Sequence, residues 1–259
     1  MTKSETLGKI LYRAFVPIVI QDRLPPLACL EVVLEAGLEA VEISCRHPEA
    51  LSLIARAKGE LPELAVGAAT LLENGRLREW VNATGRPVPS IDQVVDAGAD
   101  FLVSLLPFRE PTYEKHAAGH VIIAGVGSPG EGHQALDWGA NLLKFVNPQL
   151  LGGPPYFKGL DPATYKSFPF FVTGGMRPEL LPGYIEANIL AVGAGFDLIL
   201  GPEYGALQED FRPERLREAL ISYVQTLDAA RAEHQSHIPF TSKDAAAIAR
   251  ASGRCLNVD

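Results

Sequence analysis

Cysteine is scarce in this chain: three in 259 residues, Cys29, Cys45 and Cys255, an odd number with no C-x-x-C pair. That pattern excludes a disulfide framework and a zinc knuckle, and a reducing cytoplasm is the expected setting. The six histidines, His47, His116, His120, His133, His234 and His237, form neither an HxH nor an HExxH pattern, so no metal is expected, and no cofactor either. Basic residues are outnumbered 23 to 31, giving a formal net charge of −8, and no cluster of them could neutralise a row of phosphates. Nucleic acid is therefore excluded as a partner. No apolar run reaches the roughly 18 residues of a membrane span. Lys3, Glu5, Lys9 and Arg13 lie before or inside the first apolar stretch, so neither an export signal nor a membrane anchor is expected.

What the chain does have is apolar material, 47% of residues against 21% charged, enough for a sizeable core. Short runs rich in Val, Ile, Leu and Phe recur, each followed by a polar or glycine-bearing turn and a helical pattern. Eight are expected as strands: Phe15 to Ile20, Ala40 to Ser44, Ala65 to Ala68, Phe101 to Ser104, Val121 to Ala124, Leu142 to Val146, Phe170 to Thr173 and Ile189 to Val192. They are mostly continuous rather than alternating, as strands covered on both faces of a parallel sheet should be. Between them, Pro25 to Ala36, Pro48 to Lys58, Ser90 to Ala97, Glu131 to Trp138 and Pro178 to Ala187 read as helices. Prolines at their starts and Gly37, Gly59, Gly98 and Gly139 at or just past their ends punctuate them.

This α/β pattern points to a closed (β/α)8 TIM barrel with an N-terminal helix and a C-terminal helical extension. A doubly wound open sheet is the alternative, which counting strands does not exclude. The division expected is 1–204 for the barrel and 205–259 for the extension, packed on the barrel or at an oligomer contact. Asn74 to Pro89 is surplus to a minimal barrel and reads as a short helix around Trp80 with a loop.

In this fold the side chains at the C-terminal ends of strands converge on one face. Glu42, Arg46, Thr70, Lys144 and Thr173 stand there. Lys144, inside Leu142-Leu-Lys-Phe-Val146, lies in a buried strand, whereas the other lysines lie in helices, loops or the terminus. Desolvation favours the neutral amine, the form that attacks a carbonyl to make a Schiff base; an ion-paired structural lysine is the plainer alternative. Glu42 is suited to moving protons and Arg46 to holding a carboxylate, or the charges simply pair across the barrel. Thr173-Gly174-Gly175 and Gly193-Ala194-Gly195 end the last two expected strands, where such barrels present backbone N–H groups to an anion.

Taken in order, Val16-Pro-Ile-Val-Ile20, Val41-Glu-Ile-Ser-Cys-Arg46, Val66-Gly-Ala-Ala-Thr70, Phe101-Leu-Val-Ser104, Ala124-Gly-Val126, Leu143-Lys-Phe145, Val172-Thr-Gly-Gly175 and Ala191-Val-Gly193 resemble the 2-keto-3-deoxy-6-phosphogluconate and 4-hydroxy-2-oxoglutarate aldolases. The resemblance implies a lyase of carbohydrate metabolism, a homotrimeric Schiff-base aldolase releasing pyruvate from a 2-keto acid. It implies Lys144 as the imine-forming lysine and Glu42 as the general acid and base. Arg46, Thr70 and Thr173 would bind the substrate's carboxylate and hydroxyls, and the two glycine segments a phosphate.

The walls depart from the family pattern. Ser104-Leu-Leu106 stands for Ser-Pro-Gly, Lys144-Phe-Val-Asn-Pro-Gln149 for Lys-Phe-Phe-Pro-Ala-Glu, Gly193-Ala-Gly-Phe196 for Gly-Gly-Ser-Trp, and Gly67-Ala-Ala-Thr70 for Gly-Ala-Gly-Thr. The reaction class is thus better specified than the substrate, phosphorylated or not. Two competing readings remain at this level: a barrel isomerase or epimerase on a phosphorylated sugar, with Lys144 as an electrostatic stabiliser, and an aldolase-derived ligand-binding or regulatory protein without turnover.

Overall fold

The structure, a computed structural model, describes residues 1–20 and 23–258. Among these, eight parallel strands close into a barrel in sequence order: β1 (Phe15–Val19), β2 (Ala40–Ser44), β3 (Ala65–Ala69), β4 (Phe101–Val103), β5 (Val121–Gly125), β6 (Leu142–Val146), β7 (Phe170–Thr173) and β8 (Ala191–Gly195), with β8 paired back onto β1. This is the (β/α)8 barrel and not the open sheet. α1 (Lys3–Arg13) precedes it; α2 (Pro26–Glu35), α3 (Ala50–Glu60), α4 (Arg76–Ala83), α5 (Ile91–Asp96), α6 (Glu110–His116), α7 (Pro129–Asp137), α8 (Pro154–Ala163) and α9 (Leu181–Glu186) run between the strands. After β8 come α10 (Phe196–Leu200), α11 (Tyr204–Leu207), α12 (Pro213–His234) and α13 (Ala245–Ser252).

Every strand except the end of β6 is buried along its length, and alternation divides its side chains between two cores. Val16, Ala40, Ala65, Phe101, Val103, Val121, Ile123, Leu142, Phe171 and Ala191 belong to one cluster inside the barrel; their neighbours Phe15, Val41, Val66, Leu102, Ile122, Leu143, Phe170 and Val192 belong to another, packed under the helices. Proline opens α2, α7, α8 and α12, where its missing N–H costs nothing. α12 packs between α9 and α2, and its Tyr223 stacks on Phe15 of β1 with ring centres 4.7 Å apart.

The eighth strand differs from expectation. It spans Ala191–Gly195, not Ile189 to Val192, so Gly193, Ala194 and Gly195 pair within the sheet instead of following it; Gly195 lies opposite Ile18. Glycine carries no side chain to mark a strand, so its pairing shows only when the barrel closes.

One end of the barrel is sealed. α1, started by a Thr2–Glu5 capping box, inserts Leu7, Ile10 and Leu11 into the inner cluster, and α13 packs on α1. The last residues are stitched beneath β5 to β7. Asn141 donates to the carbonyls of Leu256 and Asn257 at 2.9 and 2.8 Å and accepts the Ile122 N–H; Asn257 donates to Leu136 and Ala140. Arg254 pairs with Asp161, both buried, and also reaches the Phe168 carbonyl. Because removing one partner leaves a buried charge unpaired, Arg254→Ala is expected to cost about 3–5 kcal/mol in urea unfolding, with the barrel's far-ultraviolet spectrum retained before the transition.

Candidate active site

Numbering around the closed sheet puts β2 and β6 four strands apart in either direction, so they face each other across the barrel. Glu42, at the middle of β2, sits between Ile18 and Gly67; Lys144, at the middle of β6, sits between Gly125 and Phe171. Both point inward, and Lys144 Nζ donates to Glu42 Oε2 at 2.9 Å. Glu42 is 0% and Lys144 7% exposed. The ammonium lies 5.5 Å from the centre of the Phe171 ring. The second carboxylate oxygen, Glu42 Oε1, is buried and has no hydrogen-bond partner among the described residues. Such an unmet acceptor fits a substrate hydroxyl or a water.

Room for two long side chains comes from small neighbours. A Cβ on Gly67 would overlap the Phe101 ring, which lies flat against that backbone inside the barrel. Gly193, inward on β8, leaves space in the same way for Phe171 and Ile18. Ala194 behaves otherwise: its side chain belongs to the outer core under the helices, so only its backbone faces the site.

At the open mouth, Ser44 gathers two of the expected residues. Its Oγ lies 2.9 Å from Thr70 Oγ1 and accepts from the Arg46 backbone N–H and Nε at 3.3 and 3.4 Å. Thr70 holds φ at 61°, a conformation that costs a β-branched residue about 1–3 kcal/mol. The peptides on either side fix it there, since the Ala69 carbonyl accepts from Cys45 and the Leu71 N–H donates to Val103. Thr173 is buried at the end of β7, in register with Val146 and Gly193. Gly174 and Gly175 follow at φ +83° and +68°, which only glycine adopts readily, and the Asn147 side chain packs where a Cβ on Gly174 would stand. Gln149 donates to the Gly175 carbonyl at 3.1 Å, and the Asn147 N–H donates to Thr173 at 2.8 Å.

Ser44, Asn147 and Gln149 stand beside the expected site residues, and the sequence assigned them no role. Ser44 had a signal: it stands two residues after Glu42 in the same strand and so shares its inward face. Asn147 and Gln149 stood in the segment that departs from the family pattern, but their partners, on the next strand's loop, were not legible there. Cys45, between Ser44 and Arg46, turns into the outer core, where burial pushes its thiol up to about 12. Among the described residues no group of three or more His, Cys, Asp or Glu side chains is placed to hold a metal ion.

The family described as "KDPG and KHG aldolase" matches residues 9–201. A "2-dehydro-3-deoxy-phosphogluconate aldolase" of Zymomonas mobilis is 30% identical over 182 residues, 69% of this chain and 79% of that protein. Among solved structures, a 4-hydroxy-2-oxoglutarate/2-dehydro-3-deoxyphosphogluconate aldolase from TTHB1 superposes with a TM-score of 0.66 at 24% identity, covering 86% of this chain and 98% of that one. A KDPG aldolase of Legionella pneumophila, solved with pyruvate captured as a covalent carbinolamine, gives 0.65 at 22%, covering 83% and 97%.

A thiol whose pKa is raised stays protonated at neutral pH and is a poor nucleophile. In the native protein at pH 7.5, iodoacetamide is expected to modify exposed Cys255 and to spare Cys45 and Cys29, with all three modified after denaturation, as read by peptide mass mapping.

Proposed function

The chain belongs to the KDPG and KHG aldolase family, and from that premise we propose how its residues carry the reaction. The protein is an aldolase, a carbon–carbon lyase that cleaves a 2-keto-3-deoxy acid to pyruvate and an aldehyde. In our reading Lys144 is the imine-forming lysine and Glu42 the group that moves protons. The observation that carries this is the buried pair itself: an amine 2.9 Å from one carboxylate oxygen, with the other oxygen unengaged.

The steps follow from that placement. The Lys144 amine adds to C2 of the keto acid, and Glu42 delivers the protons that turn the carbinolamine into water and a protonated imine. The imine is an electron sink. Glu42 then takes the proton of the C4 hydroxyl, the C3–C4 bond breaks, its electron pair passes to the imine nitrogen to give an enamine, and the aldehyde leaves. The enamine is protonated at C3, and water hydrolyses the resulting imine to pyruvate and free amine. Arg46 with Thr70 and Thr173 would hold the substrate carboxylate and hydroxyls. Ser44 fixes Arg46 and Thr70, so the mouth is arranged before substrate arrives. Backbone groups of Gly174, Gly175, Gly193, Ala194 and Gly195 complete the proposed binding surface.

The same reading makes this a cytoplasmic enzyme of carbohydrate metabolism that works as a homotrimer. Two observations support it. Among the described residues no helix is long and apolar enough to cross a membrane. Leu77 and Trp80 on α4, with Leu105 and Leu150 on the mouth loops, are more than half exposed, an apolar surface that association would cover.

Borohydride reduction in the presence of pyruvate is expected to leave a stable adduct on Lys144, located by peptide mapping. Lys144→Ala is expected to abolish turnover and Glu42→Gln to lower kcat by about 10²–10⁴-fold; full activity in the Lys144 variant overturns the assignment. Sedimentation is expected to give three times the 27.9 kDa chain mass, and a monomer overturns the assembly.

A further inference from the structure

At the closed end of the barrel a cleft of about 520 Å³ opens between the end of α1, the last turns of α12 and the segment 235–241 that follows. Two guanidiniums line it, Arg13 from α1 and Arg231 from α12, together with one carboxylate, Asp228. Arg231 is 5% exposed, and Gln235, which also lines the cleft, 1%.

The hydrogen bonding of these residues is incomplete. Arg231 Nη2 donates to the Tyr12 carbonyl at 3.0 Å, but Nε and Nη1 are buried without a hydrogen-bond partner. Arg13 Nη1 donates to Asp228 Oδ2 at 2.8 Å, and its Nε is buried and unmet. Gln235 donates its amide N–H groups to the carbonyls of Ile185 and Ile189, which leaves Oε1 buried with nothing to accept. Among the described residues, eight buried side-chain nitrogen and oxygen atoms lack a partner, and four of them belong to these three residues. A fifth is Glu42 Oε1, beside Lys144. Buried polar atoms are seldom left unmet, so four around one cleft call for a group that completes them.

The charges are unbalanced as well. Asp228 is engaged by Arg13, and its other oxygen lies 3.8 Å from Arg231 Nη1, beyond hydrogen-bonding reach. The Phe240 ring, 3.8 Å from the guanidinium carbon of Arg231, covers one face of that cation. Burial lowers the Arg231 pKa to about 10, with Asp228 opposing the fall and Arg13 adding to it, so the side chain is still a cation at neutral pH. Two cations thus share one carboxylate, and one positive charge is left over beside a nearly buried guanidinium.

We propose that this cleft binds a small oxyanion, a phosphate free or at the end of a small hydroxylated molecule, held by Arg13 and Arg231 with Gln235 accepting from a hydroxyl. Guanidiniums match phosphate oxygens through parallel N–H bonds. Asp228, whose side chain is 41% exposed, turns outward as the anion enters and opens Nη1 of Arg231. An anion bridging the two arginines fastens α1 to α12 beneath the barrel. None of these residues belongs to the proposed catalytic mouth, so the inference stands apart from the Lys144 imine reading.

The test is isothermal titration calorimetry of the full chain at pH 7.5 and constant ionic strength, with inorganic phosphate and, separately, glycerol 3-phosphate. Wild type, Asp228→Asn and Arg13→Gln are compared; both altered side chains are partly exposed, and far-ultraviolet circular dichroism checks that the variants fold. Wild type is expected to bind one anion per chain. Asp228→Asn removes the competing carboxylate and is expected to tighten binding about tenfold, whereas Arg13→Gln is expected to weaken it about tenfold. The opposite signs separate a built site from a damaged fold, which would weaken both; should Arg13→Gln fail to fold, the tightening in Asp228→Asn decides alone. Tighter binding of glycerol 3-phosphate identifies the phosphate as a monoester's, tighter binding of inorganic phosphate identifies the free ion, and either supports the site. Binding of neither probe overturns it, because water alone then fills the cleft. Binding that neither variant changes also overturns it, since the anion then sits elsewhere, and so does weakening in both variants.

Discussion

The constraint on which the rest of the structure turns is the burial of one ammonium and one carboxylate face to face inside a closed barrel. Taking either charge out of water alone costs several kcal/mol; together, at 2.9 Å, they compensate each other. The geometry then dictates much else. Glu42 and Lys144 can meet only because β2 and β6 oppose each other across the ring, and the ring closes only because β8 returns to β1. Gly67 and Gly193 leave space inside the barrel for the rings of Phe101 and Phe171, and Gly125 for the backbone of Ser104 and Leu105.

The two ends of the barrel divide the remaining work. At the closed end, α1, α13 and the final residues are fastened by apolar packing and by side chains whose partners lie far along the chain: Asn141 with residues 256 and 257, Arg254 with Asp161. Those contacts tie residues remote in the chain to the barrel floor. At the open end two disfavoured features stand beside the proposed reactive pair. Thr70 sits in a strained conformation and Glu42 Oε1 lacks a partner, both of which a stability optimum would remove.

A third part of the molecule is the rim of the mouth, formed by the segments at the ends of β6, β7 and β8. Asn147 packs against Gly174, Gln149 holds Gly175, and Asp197 folds over Gly195, so each glycine-bearing turn is shaped by a polar side chain from the chain's own walls. The Lys144–Glu42 pair at the barrel centre and the polar side chains at its rim are therefore distinct sets of residues.

Much was legible in the sequence because it depends on short range. Seven of the eight strands, most of the helices between them though not α6 or α8, and the singular position of Lys144 follow from apolar runs, turn residues and the cost of a charge in a buried strand. Glu42 and Ser44 share a face because side chains alternate along a strand, although only Glu42 is conspicuous without its neighbours. The eighth strand was misplaced because glycine has no side chain with which to announce pairing. The tail was unreadable because Asn141, Arg254 and Asn257 find partners more than 90 residues away or across the barrel floor. By itself the sequence determined the run of β/α units and the singular placing of one lysine and one carboxylate in buried strands, since these are set by local pattern and by solvation. Only the tertiary structure decided that the two charges touch, that Ser44 ties Arg46 to Thr70, and that Asp197 folds over Gly195. Distances between residues remote in the chain are fixed by ring closure and packing, which no local pattern encodes.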